Sequence, residues 1–263
     1  MTGRTVPPGL APLVQLLELE QPRVVTAAQL RAWSSEVGLG WPFDVVVRRL
    51  RERGWLLDLA TRGVWEFAPA ARAGSYGSGD PLVELRATLA RDASAPYAVG
   101  AESAAYLLGL AGRRPAREVV GAPSGLRPPK AFKVFRVVSW TPRAALTLRD
   151  SLPTWSAATL LAFMGTRPSG YRDWPNAGEW LAQAAANVTV DDLEGELSGR
   201  PRSAWARTAY LLDRGGVPIS ARELFAAAPG GRGPYYLGER RREGRYAKAF
   251  DVIDSTGLEL RDQ

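Results

Sequence analysis

Arginines concentrate on one helical stretch near the start of this chain. The apolar residues of FDVVVRRLRERG recur with a helical period at Phe43, Val46, Val47 and Leu50. This spacing of i, i+3, i+4 and i+7 predicts one buried helix face. The opposite face carries Asp44, Arg48, Arg49, Arg51, Glu52 and Arg53. Guanidinium groups bind phosphates and the guanine edge through paired hydrogen bonds, so this face predicts contact with DNA.

The surrounding sequence predicts the elements that hold this face. Thr26 has the chemistry of an N-cap for a preceding helix over AAQLRAWSSEV, and Pro42 suits the first turn of the arginine helix. WLLDL and VWEF then read as paired strands across a turn at residues 60–63, where Gly63 favours a positive φ. A strand, two helices and a ribbon form the layout of a winged helix-turn-helix, whose second helix enters the major groove.

Individual DNA contacts are assigned from this layout. We expect Asp44, Arg48 and Arg51 to face the major groove, with Trp41 and Arg49 nearer the backbone. The remaining candidates are Arg62 at the ribbon tip, for the minor groove or a phosphate, and Arg31 on the preceding helix, for a phosphate. Two alternatives stay open. The arginines could pair with Glu52 or Asp58 as surface charges, or the module could dock a protein.

The residue types that the sequence lacks limit the reactions and metal sites that are possible. The 263 residues include no cysteine and no histidine, which excludes disulfides, thiolate and imidazole metal sites, and Ser-His-Asp catalysis. The sequence also lacks a P-loop, because residues 230–233 have neither the lysine nor the helix start that this motif needs. We therefore expect no enzyme activity, no catalytic residues, no cofactor and no metal site.

The positive charge is unevenly distributed. The net charge of +7 comes from residues 1–79, which carry +2, and residues 80–151, which carry +5, whereas residues 152–263 are balanced. Arginine outnumbers lysine 31 to 3, which suits phosphate contacts, although a GC-rich genome produces the same bias. Without a signal peptide pattern or an apolar run of membrane-spanning length, we expect a cytoplasmic protein without a membrane partner.

The chain divides into two predicted domains of α+β class. Residues 1–75 form the winged helix-turn-helix, and APAARAGSYGSG marks the boundary. Residues 80–263 form a larger mixed α/β, helix-rich C-terminal domain. Its strand-containing part covers 80–151, and its mainly helical part covers 152–263.

Patterns within the second domain predict further elements. KAFKVFRVVSW (130–140) is apolar on both faces, which predicts a covered, central strand. PTWSAATLLAFMG (153–165) and NAGEWLAQAAANV (176–188) read as helices, the first with its start at Ser151 or Thr154. PYYLGERRREGRYAKAFDVIDS reads as a hairpin whose strands run over 235–238 and 246–253.

Several stretches resemble the AbiEi-type antitoxins, especially their actinobacterial branch. LSGRPRSAWARTAYLLDRGGVP (197–218) is similar to the C-terminal region of that family, and AESAAYLLGL (101–110) to its Ser-Ala helix. RERGWLLDLATRGVWEFAP is close to the family's ribbon. One departure is clear: Trp155 and Ser156 replace a charged pair in the segment that many members begin with proline-glutamate-arginine-alanine. The resemblance covers about residues 10–255.

This resemblance implies a DNA-binding antitoxin of a type IV-like toxin–antitoxin pair. Its winged helix would bind inverted repeats in its own promoter and repress the operon. Its C-terminal domain would neutralise a cognate nucleotidyltransferase toxin, directly or without a stable complex. The alternatives are a stand-alone winged-helix transcriptional regulator and a protein-interaction antitoxin that does not read DNA.

Two other features could indicate a catalytic or a metal site, and a third is a strip of basic residues. Gly77-Ser78 is similar to the glycine-serine start of nucleotidyltransferases, but no Asp-x-Asp follows, and Asp80 and Asp92 lie in the wrong context. Asp191-Asp192 reads as helix capping rather than a metal site.

A basic strip is formed by Arg113, Arg114, Arg117, Arg127, Lys130 and Lys133. It could extend the DNA footprint, face an acidic partner or RNA, or be a solvated surface.

Overall fold

A computed structural model describes residues 6, 8–71, 77–240 and 243–258 of the chain. Helices and several β-sheets alternate along the sequence, so the protein is of mixed α+β class, as predicted. Among the described residues, no helix combines the length and the apolar character that crossing a membrane requires. Residues 72–76 of the predicted linker and 241–242 of the predicted hairpin loop lie outside the described residues.

The chain forms two compact units. The first comprises Met1–Pro96 together with Pro129–Val134, and the second comprises Tyr97–Pro128 together with Phe135–Gln263. The first unit therefore extends past the predicted boundary at residues 75–80 and includes a short segment from far along the chain. Each unit has its own cluster of buried apolar side chains.

The first unit contains four α-helices and three strands in its described part. In chain order these are α1 (Ala11–Glu20), β1 (Val24–Thr26), α2 (Ala27–Glu36), α3 (Phe43–Glu52), β2 (Leu56–Asp58), β3 (Val64–Phe67) and α4 (Val83–Arg91). The strand, two helices and ribbon predicted over residues 24–67 are therefore present. Thr26 caps α2 as predicted: its hydroxyl accepts from the Gln29 amide at 3.2 Å, and the Gln29 side chain accepts from the Thr26 amide at 2.9 Å.

Helix α4 belongs to the first unit rather than to the second. It packs on β1 and β3 of a sheet with strand order β1-β3-β2, in which every pair is antiparallel. Residues Lys130–Val134, a 3₁₀ turn, pack against α4 in turn. Sequence alone separated α4 from the first unit because the glycine-rich stretch before it has the composition of a domain linker.

The second unit combines a five-stranded sheet, a helical layer and a small C-terminal sheet. Its first part contains β4 (Ala98–Val99), α5 (Ala101–Leu107), β5 (Val119–Ala122), β6 (Arg136–Ser139), β7 (Thr147–Arg149) and β8 (Leu152–Thr154). Its second part contains α6 (Ala157–Thr166), α7 (Trp174–Ala177), α8 (Leu181–Ala186), α9 (Val190–Leu197), α10 (Arg202–Arg214) and α11 (Pro218–Ala226). The chain then forms β9 (Tyr235–Leu237), β10 (Arg245–Ala247) and β11 (Val252–Asp254).

The strand predicted over 130–140 is shorter and more peripheral than expected. It begins at Arg136, and β6 is an edge strand in the order β6-β5-β4-β8-β7. All four of its residues are only partly buried, whereas β5, its parallel neighbour, is fully buried. The prediction of a central position was wrong because apolar residues on both faces do not reveal how many neighbours a strand has.

The predicted C-terminal hairpin was also wrong. Strand β9 does not pair with β10; it pairs in parallel with β11, and β10 pairs antiparallel with β11 on the other side. The tight turn is therefore the one between β10 and β11. Parallel pairing across a long connection has no local sequence signature, so alternation alone favoured the nearer partner.

Two helices differ from the prediction, one in the residue at which it starts and the other because it is interrupted. The segment predicted as one helix from 153 begins as strand β8, and α6 starts after Ser156, whose hydroxyl accepts from the Thr159 amide at 3.2 Å. Neither Ser151 nor Thr154 caps it. The helix predicted over 176–188 is divided into α7 and α8, which are separated at Gly178–Trp180.

Candidate nucleic-acid interface

Helix α3 has one apolar face and one charged face. Val46, Val47 and Leu50 are buried in the core of the first unit, which fixes the rotation of the helix about its axis. The opposite face is exposed and carries the predicted candidates Asp44, Arg48, Arg49 and Arg51. The helix ends at Glu52, and Gly54 follows with a φ of +72°, a conformation that glycine adopts readily.

Two arginines of this face form ion pairs with the carboxylates that the sequence suggested. Arg48 Nε lies 3.9 Å from the Glu52 carboxylate one helical turn later, and Arg51 pairs closely with Asp58 on β2. All four side chains are about half exposed, and such pairs contribute at most about 1 kcal/mol to stability. Arg48 and Arg51 can therefore exchange these partners for a phosphate or a base.

The other candidates lie around α3 in different settings. The Arg31 guanidinium stacks 4.0 Å from the ring centre of Phe43, the first residue of α3, which holds it beside that helix. Trp41 is 39% exposed, and its indole packs against Gly9 so closely that a Cβ there would lie 2.6 Å from the ring. Trp41 thus has a packing role in addition to any contact with DNA.

The turn that carries Arg62 is fixed by a buried carboxylate. Gly63 has a φ of +76°, as predicted, and Arg62 beside it is exposed. Glu84 of α4 is 8% exposed and accepts from the Ala60 amide at 2.6 Å, the Thr61 amide at 3.1 Å and the Thr61 hydroxyl at 2.8 Å. Sequence reasoning missed Glu84 because it placed α4 in the other domain.

The acidic residues weighed as catalytic candidates have structural partners. The Ser78 amide donates to Glu66, and Asp80 accepts from Arg86 Nε at 2.6 Å and from the Leu82 amide at 2.9 Å. Asp192 completes a capping box with Thr189 at the start of α9. Within the described ranges, no three His, Cys, Asp or Glu side chains are grouped so that they could hold a metal ion.

Comparison with known proteins identifies the family. The model of the AbiEi antitoxin C-terminal domain matches residues 97–214. The crystal structure of the RV2827C protein from Mycobacterium tuberculosis is 30% identical, with a TM-score of 0.82 over 97% of this chain and 94% of that one. The chain belongs to the AbiEi-type antitoxin family. A search of curated proteins finds no match.

The matched segment of the antitoxin begins at β4 and ends with α10, so it covers the five-stranded sheet and most of the helical layer. The family's charged pair is replaced here by core and capping residues. Trp155 is fully buried, with its ring 5.1 Å from Phe163 and 6.2 Å from Trp140, and Ser156 caps α6. These two positions stabilise the antitoxin's core rather than offering charge to a partner.

The basic strip of the antitoxin is divided between the two units. Lys130 and Lys133 lie in the 3₁₀ turn that belongs to the first unit. Arg113, Arg114 and Arg117 lie in the second unit and line a pocket there, together with two arginines outside the predicted strip. The residues of the predicted strip therefore do not all belong to one unit.

Proposed function

We propose that the antitoxin binds double-stranded DNA through a winged helix-turn-helix formed by β1, α2, α3, β2 and β3. The observation that carries this proposal is the exposed arginine face of α3, whose apolar face is buried in its own unit. A helix held in this way by a preceding helix and followed by a ribbon has the arrangement of a major-groove recognition helix. Arg62 on the fixed ribbon turn would contact the minor groove or a phosphate.

The target that we propose is the antitoxin's own promoter. Members of the family are expected to bind inverted repeats there and to repress the operon. Arg48 and Arg51 would read base edges in the major groove beside Asp44, while Arg49, Arg31 and Trp41 would contact the backbone. All of these contacts would form in the cytoplasm, where the operon is transcribed.

A gel shift with the full chain and its upstream DNA tests this function. Arg48→Ala with Arg51→Ala should abolish the shift, since each bidentate contact contributes about 1–3 kcal/mol. Arg91→Ala, which removes an exposed arginine from α4 of the same unit, is the matched control and should leave the shift unchanged. A shift that persists in the double variant at the wild-type concentration would exclude α3 as the recognition helix.

We further propose that the second unit neutralises a nucleotidyltransferase toxin, either directly or without a stable complex. The support is that the matched antitoxin domain lies in this unit, except for residues 129–134. Co-expression with the product of the adjacent gene tests the proposal. Growth restored by the antitoxin supports neutralisation, and co-purification distinguishes a direct from an indirect mode. Growth arrest that the antitoxin does not relieve would leave only transcriptional regulation.

A further inference from the structure

A pocket of about 440 Å³ in the second unit is lined by an unusual number of cations, and we name it the arginine pocket. Its arginines are Arg113, Arg114, Arg117, Arg136 and Arg172. Three come from the segment between α5 and β5, one opens β6, and one follows the 3₁₀ turn Pro168–Gly170. Because β5 and β6 are parallel neighbours, the segment that leads into β5 and the first residue of β6 meet at the same end of the sheet.

Glu102 connects two of the segments that line this pocket through hydrogen bonds. Its side chain is 5% exposed, and one carboxylate oxygen accepts from Arg136 while the other accepts from the Arg172 amide at 2.6 Å. A second bond, from Arg136 Nη1 to the Gly170 carbonyl at 2.6 Å, fixes the guanidinium. Burial lowers the pKa of Arg136, the neighbouring Arg172 lowers it further, and Glu102 opposes both effects.

Among the residues that line the pocket, the arginines outnumber the carboxylates. Five arginines share this lining with two carboxylates, those of Glu102 and Asp173, and Asp173 also accepts from the side-chain amide Nδ2 of Asn176 at 2.7 Å. Glu118 adds one further negative charge, with its Oε1 2.7 Å from Arg114 Nε. Like charges that line one pocket repel one another, and a bound anion would relieve that repulsion.

We propose that the arginine pocket binds a phosphomonoester, either as free phosphate or as the phosphate of a mononucleotide. Guanidinium groups bind phosphate oxygens through paired hydrogen bonds, and here they converge from three separate segments. The pocket's volume lies within the range of about 300–1,000 Å³ that small-molecule sites occupy. This proposal is independent of DNA binding by the first unit, because every lining residue belongs to the second unit.

Isothermal titration calorimetry with the full chain tests the proposal, using inorganic phosphate, adenosine monophosphate and uncharged adenosine. Arg113→Gln with Arg172→Gln is the informative variant, because both side chains are exposed and their loss leaves the buried Glu102–Arg136 pair in place. Arg149→Gln with Arg222→Gln is the matched control, since both arginines are exposed in the same unit and lie outside the pocket. Thermal unfolding verifies that all variants are folded.

We expect one saturable site per chain for phosphate or the nucleotide and none for adenosine. The affinity should fall at least about ten-fold in the Arg113/Arg172 variant and stay within about two-fold in the control. Binding of phosphate alone would identify the free anion as the ligand, and tighter binding of the nucleotide would identify the nucleoside phosphate. The proposal is overturned by an absence of saturable binding of phosphate and of the nucleotide, or by an affinity in the Arg113/Arg172 variant that equals that of the wild type.

Discussion

At the scale of single residues, the ion pair between Arg51 and Asp58 lowers the net positive charge on the exposed face of α3. The pair joins α3 to β2, and both side chains are about half exposed. Asp58 therefore offsets part of the positive charge of the proposed recognition face of α3 without covering it. A carboxylate beside a DNA-binding arginine repels phosphates, which weakens binding to unrelated sequences more than binding to the intended one.

We predict that Asp58→Ala increases affinity for an unrelated duplex about two- to five-fold at low salt. Its melting temperature should change by less than about 2 °C, because an exposed ion pair contributes little to stability. Fluorescence anisotropy with a labelled duplex measures the affinity, and Glu20→Ala, which removes an exposed charge from the end of α1, is the control. A fall in affinity would mean that Asp58 is required to orient Arg51.

At the scale of elements, the ribbon turn depends on α4, although α4 follows it by about twenty residues of sequence. The Glu84 carboxylate accepts hydrogen bonds from two backbone amides and one hydroxyl of this turn, and Thr61 itself is 4% exposed. Removing the carboxylate would leave these donors without their acceptor in a largely buried setting.

We predict that Glu84→Ala lowers the free energy of unfolding by about 1–3 kcal/mol. Urea denaturation measures this change, and Glu36→Ala, at an exposed position at the end of α2, should stay within about 0.5 kcal/mol of wild type. Equal stability of the Glu84 variant would show that water can replace the carboxylate at the turn.

Close packing of α6 against α10 depends on Gly165. A Cβ at this position would lie 2.9 Å from the Thr208 amide nitrogen and 3.0 Å from the Ala204 carbonyl oxygen. Both are backbone atoms of α10, so the two helices would have to separate. Gly195 in α9 offers a matched contrast, since it is exposed and a Cβ there would meet no atom within 4 Å.

We predict that Gly165→Ala lowers the free energy of unfolding by about 1–3 kcal/mol through overpacking. Gly195→Ala should raise it by about 0.5–1 kcal/mol, because alanine favours the helix. Thermal or urea unfolding of the two variants side by side measures both effects. A neutral Gly165 variant would contradict the close approach of α6 and α10.

Local elements of the antitoxin were predictable from sequence where a side chain determines backbone geometry. Thr26 marks the start of α2 and Gly63 marks the ribbon turn, because capping and positive φ each depend on neighbouring residues only. The errors concern partners that are distant in the chain. The β9–β11 pairing and the edge position of β6 are set by tertiary contacts that local patterns do not encode.

For the candidate sites too, residues within one element could be identified from the sequence, whereas residues brought together from distant segments could not. The arginine face of α3 could be identified because a single helix positions all of its members. Arg136 and Arg172 could not be assigned to the arginine pocket from sequence, because three distant segments meet there. Glu84 was missed for the same reason, since its partners Ala60 and Thr61 belong to an earlier element.

At the scale of the whole molecule, the antitoxin has two compact units with separate cores. The proposed DNA contacts lie in the first unit, and the matched antitoxin domain lies in the second except for residues 129–134. This division predicts that the proposed repression and the proposed toxin neutralisation can be lost separately.

We predict that Arg48→Ala with Arg51→Ala derepresses a promoter reporter while it still restores growth to cells that express the toxin. The substituted side chains are exposed on α3, so the second unit should be unaffected. Reporter activity and growth, measured in the same strains at matched protein levels, test this separation. Loss of both activities in the folded variant would show that neutralisation requires DNA binding.

If α3 reads the antitoxin's own promoter, as we propose, the preference of the full chain for operator DNA over unrelated DNA tests this most directly. Anisotropy titrations over a range of salt should show wild-type affinity for the operator at least about 10³-fold above that for a scrambled duplex. In the Arg48/Arg51 variant this preference should disappear, because these two arginines are the proposed contacts to base edges. An unchanged preference in that variant would contradict the assignment of α3 as the recognition helix.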